Sequence, residues 1–192
     1  MSTLRTLLIL QALMAISVTA HAAGWDIERL MHDLAQVRSD HASFIEKKSI
    51  AMLEKPVVSS GELFYIAPDH LEKRTLKPKP ESMVLDGETL VIEHGHKKRR
   101  LELQDHPQLA AFIDSIRDTL AGDRRALEHH YQLSLGGTAD YWTLQLFPVG
   151  KKAQEVVKQI QITGTGHTLR SIEITQADGD SSLMLIEKST KQ

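Results

Sequence analysis

The chain has 192 residues with a formal net charge of -2 at neutral pH, 41% hydrophobic and 25% charged residues, ten histidines and no cysteine. So balanced a charge lacks the strongly basic face that phosphate backbones require, and no nucleic-acid partner is expected. Without cysteine there is no disulfide, no thiol nucleophile and no lipidated N-terminal cysteine. The ten histidines titrate near neutrality, so the net charge swings positive in mild acid.

Residues 1–22 have the three parts of a secretory signal peptide: Arg5 in a positive n-region, an apolar h-region from Leu7 to Val18, and the small-x-small site Ala20-His21-Ala22. A membrane anchor needs roughly 20 continuous apolar residues, and no run reaches that length. The expected product is a soluble, periplasmic, monomeric protein that starts near Ala23. Cleavage removes Arg5 and takes the charge from -2 to -3. About 170 residues remain, which suits a single domain over 23–192.

The apolar period then changes along the chain. Ile27, Leu30, Met31, Leu34 and Val37 recur at three-and-four spacing, which predicts an amphipathic opening helix. Strand patterns follow at 41–53, 57–67, 70–77, 81–86, 88–94 and 96–103, with hairpin turns at Asp86-Gly87 and His94-Gly95. A second helix is predicted over Pro107–Ala121. Asp105 is its expected cap, Pro107 its first turn, Leu109, Phe112, Ile113, Ile116 and Leu120 its stripe, and Gly122 its stop. A short third helix is expected over Asp123–His129. Strand patterns resume at 130–136, 140–148, 157–164, 167–176 and 181–188, with turns at Gly136-Gly137, Gly164-Thr165-Gly166 and Asp178-Gly179.

About eleven antiparallel strands cannot stay flat, so the sheet must curl into a barrel or split into a sandwich. Two or three amphipathic helices are available to fill or lid its concave face. A hydrophobic interior under a movable lid suits a carrier of greasy ligands, although the same periodicity describes a helix-packed α+β domain with no cavity.

The segments His41-Ala42-Ser43-Phe44-Ile45-Glu46-Lys47, Ser60-Gly61-Glu62-Leu63-Phe64-Tyr65-Ile66-Ala67-Pro68 and Glu81-Ser82-Met83-Val84-Leu85-Asp86-Gly87-Glu88-Thr89-Leu90 resemble the LolA family of periplasmic carriers. The family has a HASF-like strand, a GxLxxxxP strand and a strand ending in DGxTL, in this order after an amphipathic helix. The resemblance implies an unclosed antiparallel barrel lidded by helices. Its cavity would take the acyl chains of a lipoprotein or lipid cargo from an inner-membrane exporter or release complex to an outer-membrane receptor. No cofactor and no metal are implied.

Two departures qualify it. Typical members have a lid-latching arginine before the proline of the GxLxxxxP strand, and Ala67 stands there; a lid without it is expected to rest on apolar contacts and to depend little on salt. Typical members also continue with a further strand and a proline-rich tail, whereas this sequence ends at Gln192, soon after Leu183–Glu187. Shorter relatives of that kind resemble LolA-like proteins that accompany biosynthetic clusters for fatty-acid-like pigments and acylated envelope lipids. A dedicated lipid or pigment carrier is therefore an alternative expectation, and a ligand-free envelope scaffold is another.

By register, Ile27, Leu30, Leu34, Phe112, Ile113, Ile116 and Leu120 are expected to face the cavity from the helices, and Phe44, Leu63, Tyr65, Leu90, Ile92, Trp142, Leu144 and Leu146 to form its walls. Any of them would serve equally as plain core, and a one-residue register slip exchanges the faces. Lys97, Lys98, Arg99 and Arg100 put two cations on each face of a strand, so that strand end must lie in water. They either discourage strand addition at a sheet edge or dock an anionic headgroup or acidic partner, with Lys151-Lys152 a weaker candidate. No enzyme is expected: the chain has no GxSxG, HExxH, P-loop or dinucleotide motif, and Ser60, Asp69 and His70 make no convincing triad. His94, His96, His129 and His130, with Glu128 or Asp140, lack the matched carboxylates on a rigid frame that a metal site needs.

Overall fold

The computed structural model describes residues 25–188, so the signal segment 1–22 and its cleavage site lie outside the described residues. Helix α1 (Ile27–Ala35) begins at Asp26, whose carboxylate accepts the Arg29 N–H at 2.9 Å, and buries Leu30, Met31 and Leu34. Six strands follow: β1 (Ser39–Ser49), β2 (Val57–Ile66), β3 (His70–Lys77), β4 (Glu81–Asp86), β5 (Thr89–His94) and β6 (Lys97–Glu102). A 3-10 turn (Leu103–Asp105) leads into α2 (Pro107–Ala121) and α3 (Arg124–His130). Then come β7 (Tyr131–Thr138), β8 (Tyr141–Pro148), the single turn α4 (Lys151–Gln154), β9 (Val157–Thr165), β10 (Thr168–Gln176) and β11 (Ser181–Lys188).

All eleven strands join one antiparallel sheet in the order β6-β5-β4-β3-β2-β1-β11-β10-β9-β8-β7. The first six step outward from β1 and the last five step back to it, so β6 and β7 are the two edges and do not pair. The sheet is curled and unclosed. Its one long connection must run from edge to edge, and that connection is the helical segment α2–α3. Topology alone therefore carries the helices across the concave face.

Local signals account for most boundaries. The loops Gly87–Glu88 and Gly95–His96 hold glycine at φ +57° and +58°, the Gly-X pattern of a type II′ hairpin. Gly122 ends α2 at φ +67°, and a Cβ there would collide with the Met31 carbonyl oxygen of α1. That residue thus fixes both the end of α2 and its approach to α1.

Four expectations are corrected. Asp105 does not cap α2: the cap position is His106, with no side-chain bond, and Asp105 belongs to the 3-10 turn instead. Gly136 and Gly137 pair with Thr143 and Trp142 within the ladder, and the turn falls at Ala139–Asp140. The first strand stops at Ser49 rather than running to Leu53. There are four helices among the described residues rather than two or three, because Lys151–Gln154 adds a turn too short to show a period.

Candidate functional site

The side chains on the concave face form two separate packed masses. The larger joins Leu30, Met31 and Leu34 of α1, Leu127 of α3 and Tyr131 to Trp142, Leu144, Leu146, Ile160 and Ile162 of β8 and β9. The smaller joins Leu85, Leu90 and Leu103 to Ile113 of α2. Phe112 of α2 packs against both, so the helix spans the gap between them like a beam.

Under that beam lies a cavity of about 520 Å³. Ligand sites fall at roughly 300–1,000 Å³. Leu109, Phe112, Ile113, Ile116 and Leu120, the whole predicted stripe of α2, border it from above. Its floor is β1–β4 with β10 and β11, where Ala42, Leu63, Leu71, Met83, Ile172, Ile174, Met184 and Ile186 face inward. Leu34, Val156 and Val157 close the side toward the larger mass.

The stripe of α2 faces empty space because another side of the helix is seated. Ser115 and Thr119 are buried and spend their hydroxyls on the Phe112 and Ser115 carbonyls, each at 2.6 Å. Beside them the Tyr131 hydroxyl donates to the Ala111 carbonyl at 2.9 Å, and burial pushes that phenol up to about 12. The opposite flank is held by charge: Arg117 donates to the Gly87 carbonyl at 3.0 Å and pairs with Glu88 at 3.1 Å and Asp114 at 2.7 Å. The expectation of a purely apolar lid is therefore corrected. Ala67 does leave its position without a cation, but Arg117 ties the helix to the β4–β5 turn. Sequence reasoning missed it because Arg117 stands among charges that look solvated.

Of the residues expected around a cavity, Leu34, Leu63, Tyr65, Leu90, Phe112, Ile113, Ile116 and Leu120 border it. Seven do not. Leu30, Trp142, Leu144 and Leu146 have no exposed surface and are filled core beneath α1 and α3. Ile27 packs at the margin of that mass, and Ile92 at the margin of the smaller one. Phe44 is buried beneath Lys73, whose ammonium lies 5.0 Å from its ring centre. These seven side chains pack with the concave-side masses or beneath Lys73, outside the lining of the void.

The wall also contains polar groups that periodicity did not reveal. Glu46 of β1 is buried, with Lys73 Nζ at 2.5 Å from Oε2 and Ser182 Oγ at 2.7 Å from Oε1. Burial alone would raise its pKa, but the charge and hydrogen bond of Lys73, with help from Ser182 and Lys48, hold it below the usual carboxylate range. Alternation could have flagged Glu46, since it shares a face with Ala42 and Phe44.

Lys97, Lys98, Arg99 and Arg100 lie exposed on β6, a sheet edge. Lys98 pairs with Glu93 at 2.5 Å and Arg100 with Glu102 at 3.1 Å. His94 ends β5 and His96 lies in the β5–β6 turn, and His129 and His130 end α3, so the two histidine pairs sit on different elements. No helix among the described residues is long and apolar enough to cross a membrane.

Residues 19–192 match the family model described as outer membrane lipoprotein carrier protein LolA-like. No curated protein matches the chain in sequence. Among solved structures, the chain is similar to a LolA superfamily protein from Nitrosomonas europaea (8% identity, TM-score 0.42, 88% of this chain and 96% of that one). It is also similar to the lipoprotein LppX of Mycobacterium tuberculosis (8%, 0.45, 86% and 95%) and to a chain of the Pseudomonas aeruginosa MucA/MucB complex (14%, 0.48, 85% and 56%).

Proposed function

The chain belongs to the LolA-like family of outer membrane lipoprotein carrier proteins, and from that premise we propose that it is a periplasmic carrier which shields the acyl chains of lipoproteins or related acylated envelope lipids between the inner and outer membranes. The observation that carries this reading is the apolar cavity of about 520 Å³ between α2 and the central strands. A stripe of five large aliphatic and aromatic side chains facing a void is costly for a protein with no ligand, because those groups forgo the contacts a filled core would supply. An acyl chain supplies them. Each buried methylene contributes about 0.8 kcal/mol, so multiply acylated cargo does not leave a membrane without an equivalent shelter.

In this reading residues 1–22 are a signal peptide and are removed. The partners are an inner-membrane exporter or release complex that loads the cavity and an outer-membrane receptor that empties it. The protein works by binding and transfer and catalyses no reaction. N-terminal sequencing of the exported protein should begin within a residue or two of Ala23, and an intact Met1 would overturn the localisation.

The test of carriage is mass spectrometry of organic extracts from protein purified from its own periplasm, with binding of acyl probes from about 8 to about 18 carbons. Affinity should rise by at most about 0.8 kcal/mol per methylene until the cavity is full. Folded protein that binds no acyl probe and yields no lipid would leave a ligand-free envelope scaffold in its place.

A further inference from the structure

Polar side chains, Asp40, Glu72, Gln176 and Lys188 among them, also line the mostly apolar cavity, and where side chains of β1, β3 and β11 meet, the polar atoms are unequally satisfied. Both oxygens of Glu46 are engaged: Oε1 accepts from Ser182 Oγ at 2.7 Å, and Oε2 accepts from Lys73 Nζ at 2.5 Å and Ser59 Oγ at 3.4 Å. The Lys73 ammonium has three N–H donors, and among the described residues Glu46 is the one acceptor it reaches. The Phe44 ring, 5.0 Å away, meets its charge but accepts no ordinary hydrogen bond. Its cross-strand neighbours Leu63 and Met83 offer nothing polar. Lys73 borders the cavity, with its side chain 23% exposed.

A buried ion pair adds little to stability over well-packed apolar groups of the same size. This one occupies the wall of a space whose lining is mostly hydrocarbon. Glu46 fixes the position of the ammonium and cancels most of its charge, leaving a donor aimed by geometry rather than a free cation. We propose that Lys73 is the polar station of the cavity, receiving the carbonyl or carboxylate oxygen at the head of an acyl chain while the chain lies along the apolar floor under α2. The proposal rests on the carrier reading and narrows it to acyl compounds, with the head seated inside the cavity rather than left in water. The acyl oxygen could belong to a free fatty acid or to an ester of a larger lipid, since both present the same acceptor.

The test is displacement of a fluorescent acyl probe by dodecanoic acid, methyl dodecanoate and dodecane. It compares the parent with Lys73→Met and with the double variant Glu46→Gln/Lys73→Met, which leaves no unpaired buried charge if the single variant fails to fold. Relative to its effect on dodecane, the double variant should weaken the acid, the ester or both by about tenfold or more, as expected for a hydrogen bond from a charged donor. Loss for the acid alone identifies a free carboxylate as the natural head, and equal loss for the ester identifies an esterified lipid. Equal losses for all three compounds, or none, would overturn the station and leave the carrier standing. Failure of every compound to bind folded parent protein would remove the carrier reading and the station with it.

Discussion

Both halves of the concave face are antiparallel strands under helices, yet one is solid and the other hollow. Beneath α1 and α3, large side chains meet large ones: Leu30, Leu34 and Leu127 above, Trp142, Leu144, Ile160 and Ile162 below, all at or near zero exposure. Under α2 the same kind of stripe looks across open space at Ala42, Leu63, Ile172, Met184 and Ser182, with the Glu46–Lys73 pair among them. Both halves are strands under helix, and it is whether the facing side chains meet across the layer that separates a core from a container.

Truncation in the solid half should have the largest effect. Trp142 is fully buried, donates from Nε1 to the Gly166 carbonyl at 2.8 Å, and lies so close to Gly164 that a Cβ there would collide with its ring. Trp142→Ala is expected to cost about 3–5 kcal/mol of unfolding free energy, measured by chemical denaturation. A cost below about 1 kcal/mol would mean that this half is also loosely packed, and the comparison would break.

Next in size is the ion pair in the hollow half. Lys73→Met removes the strongest partner of a carboxylate that burial already opposes, and should cost about 3 kcal/mol at neutral pH. In the parent, the depressed Glu46 pKa gives stability that is present above the unfolded value and lost as pH falls through the folded one. In the variant, burial dominates and raises that pKa, so acid neutralises the stranded charge. The two stability curves should converge as pH falls through the carboxylate range to below the depressed pKa of the parent. Parallel curves would show that Glu46 is solvated and that water fills this wall.

The contrast also explains what the sequence revealed. Periodicity gave eleven strands and the opening helix, and with Pro107 and Gly122 as local stops it gave α2 to the residue. It also put Phe44, Trp142, Leu144 and Leu146 on the inward face. It could not say which inward residues would touch one another and which would face a void, since that depends on helices arriving from the far edge of the sheet. Lys73 and Arg117 were missed for the opposite reason: in one dimension a charge reads as solvent-facing, and only the pairing of β1, β2 and β3, or of α2 with the β4–β5 turn, shows its partner.

A smaller effect should come from the roof helix. Burial, with the neighbouring Asp114, pushes the Asp118 pKa up to about 6 against the favourable pull of Arg117. A raised carboxylate is a liability when ionised: the folded state holds its proton to higher pH than the unfolded chain, so stability falls as pH rises between about 4 and 6 and is then level. Asp118→Asn should therefore stabilise the protein by about 1–2 kcal/mol above pH 6 and confer nothing below about pH 4. Thermal melts across that range are the measurement. A gain that did not vary with pH would assign the effect to packing and leave charge out of it.

The smallest expected change in stability is the sharpest probe of the difference between the halves. Adding volume to a filled core forces neighbours off their rotamers and costs about 1–3 kcal/mol, so Leu144→Phe should destabilise by that amount. Met184 lies on the same sheet, opposite Glu46 in the β1–β11 ladder and beside Ile172 in the β10–β11 ladder, but it borders the cavity. A ring at that position has space to enter, so Met184→Phe should change stability by less than about 0.5 kcal/mol. It should instead shorten the acyl chain at which affinity stops rising, because the ring occupies volume that terminal methylenes would fill. A Met184→Phe protein as destabilised as Leu144→Phe would mean that the hollow is already closed in solution. Unchanged stability with an unchanged chain-length limit would mean that acyl chains lie elsewhere in the cavity, away from β11.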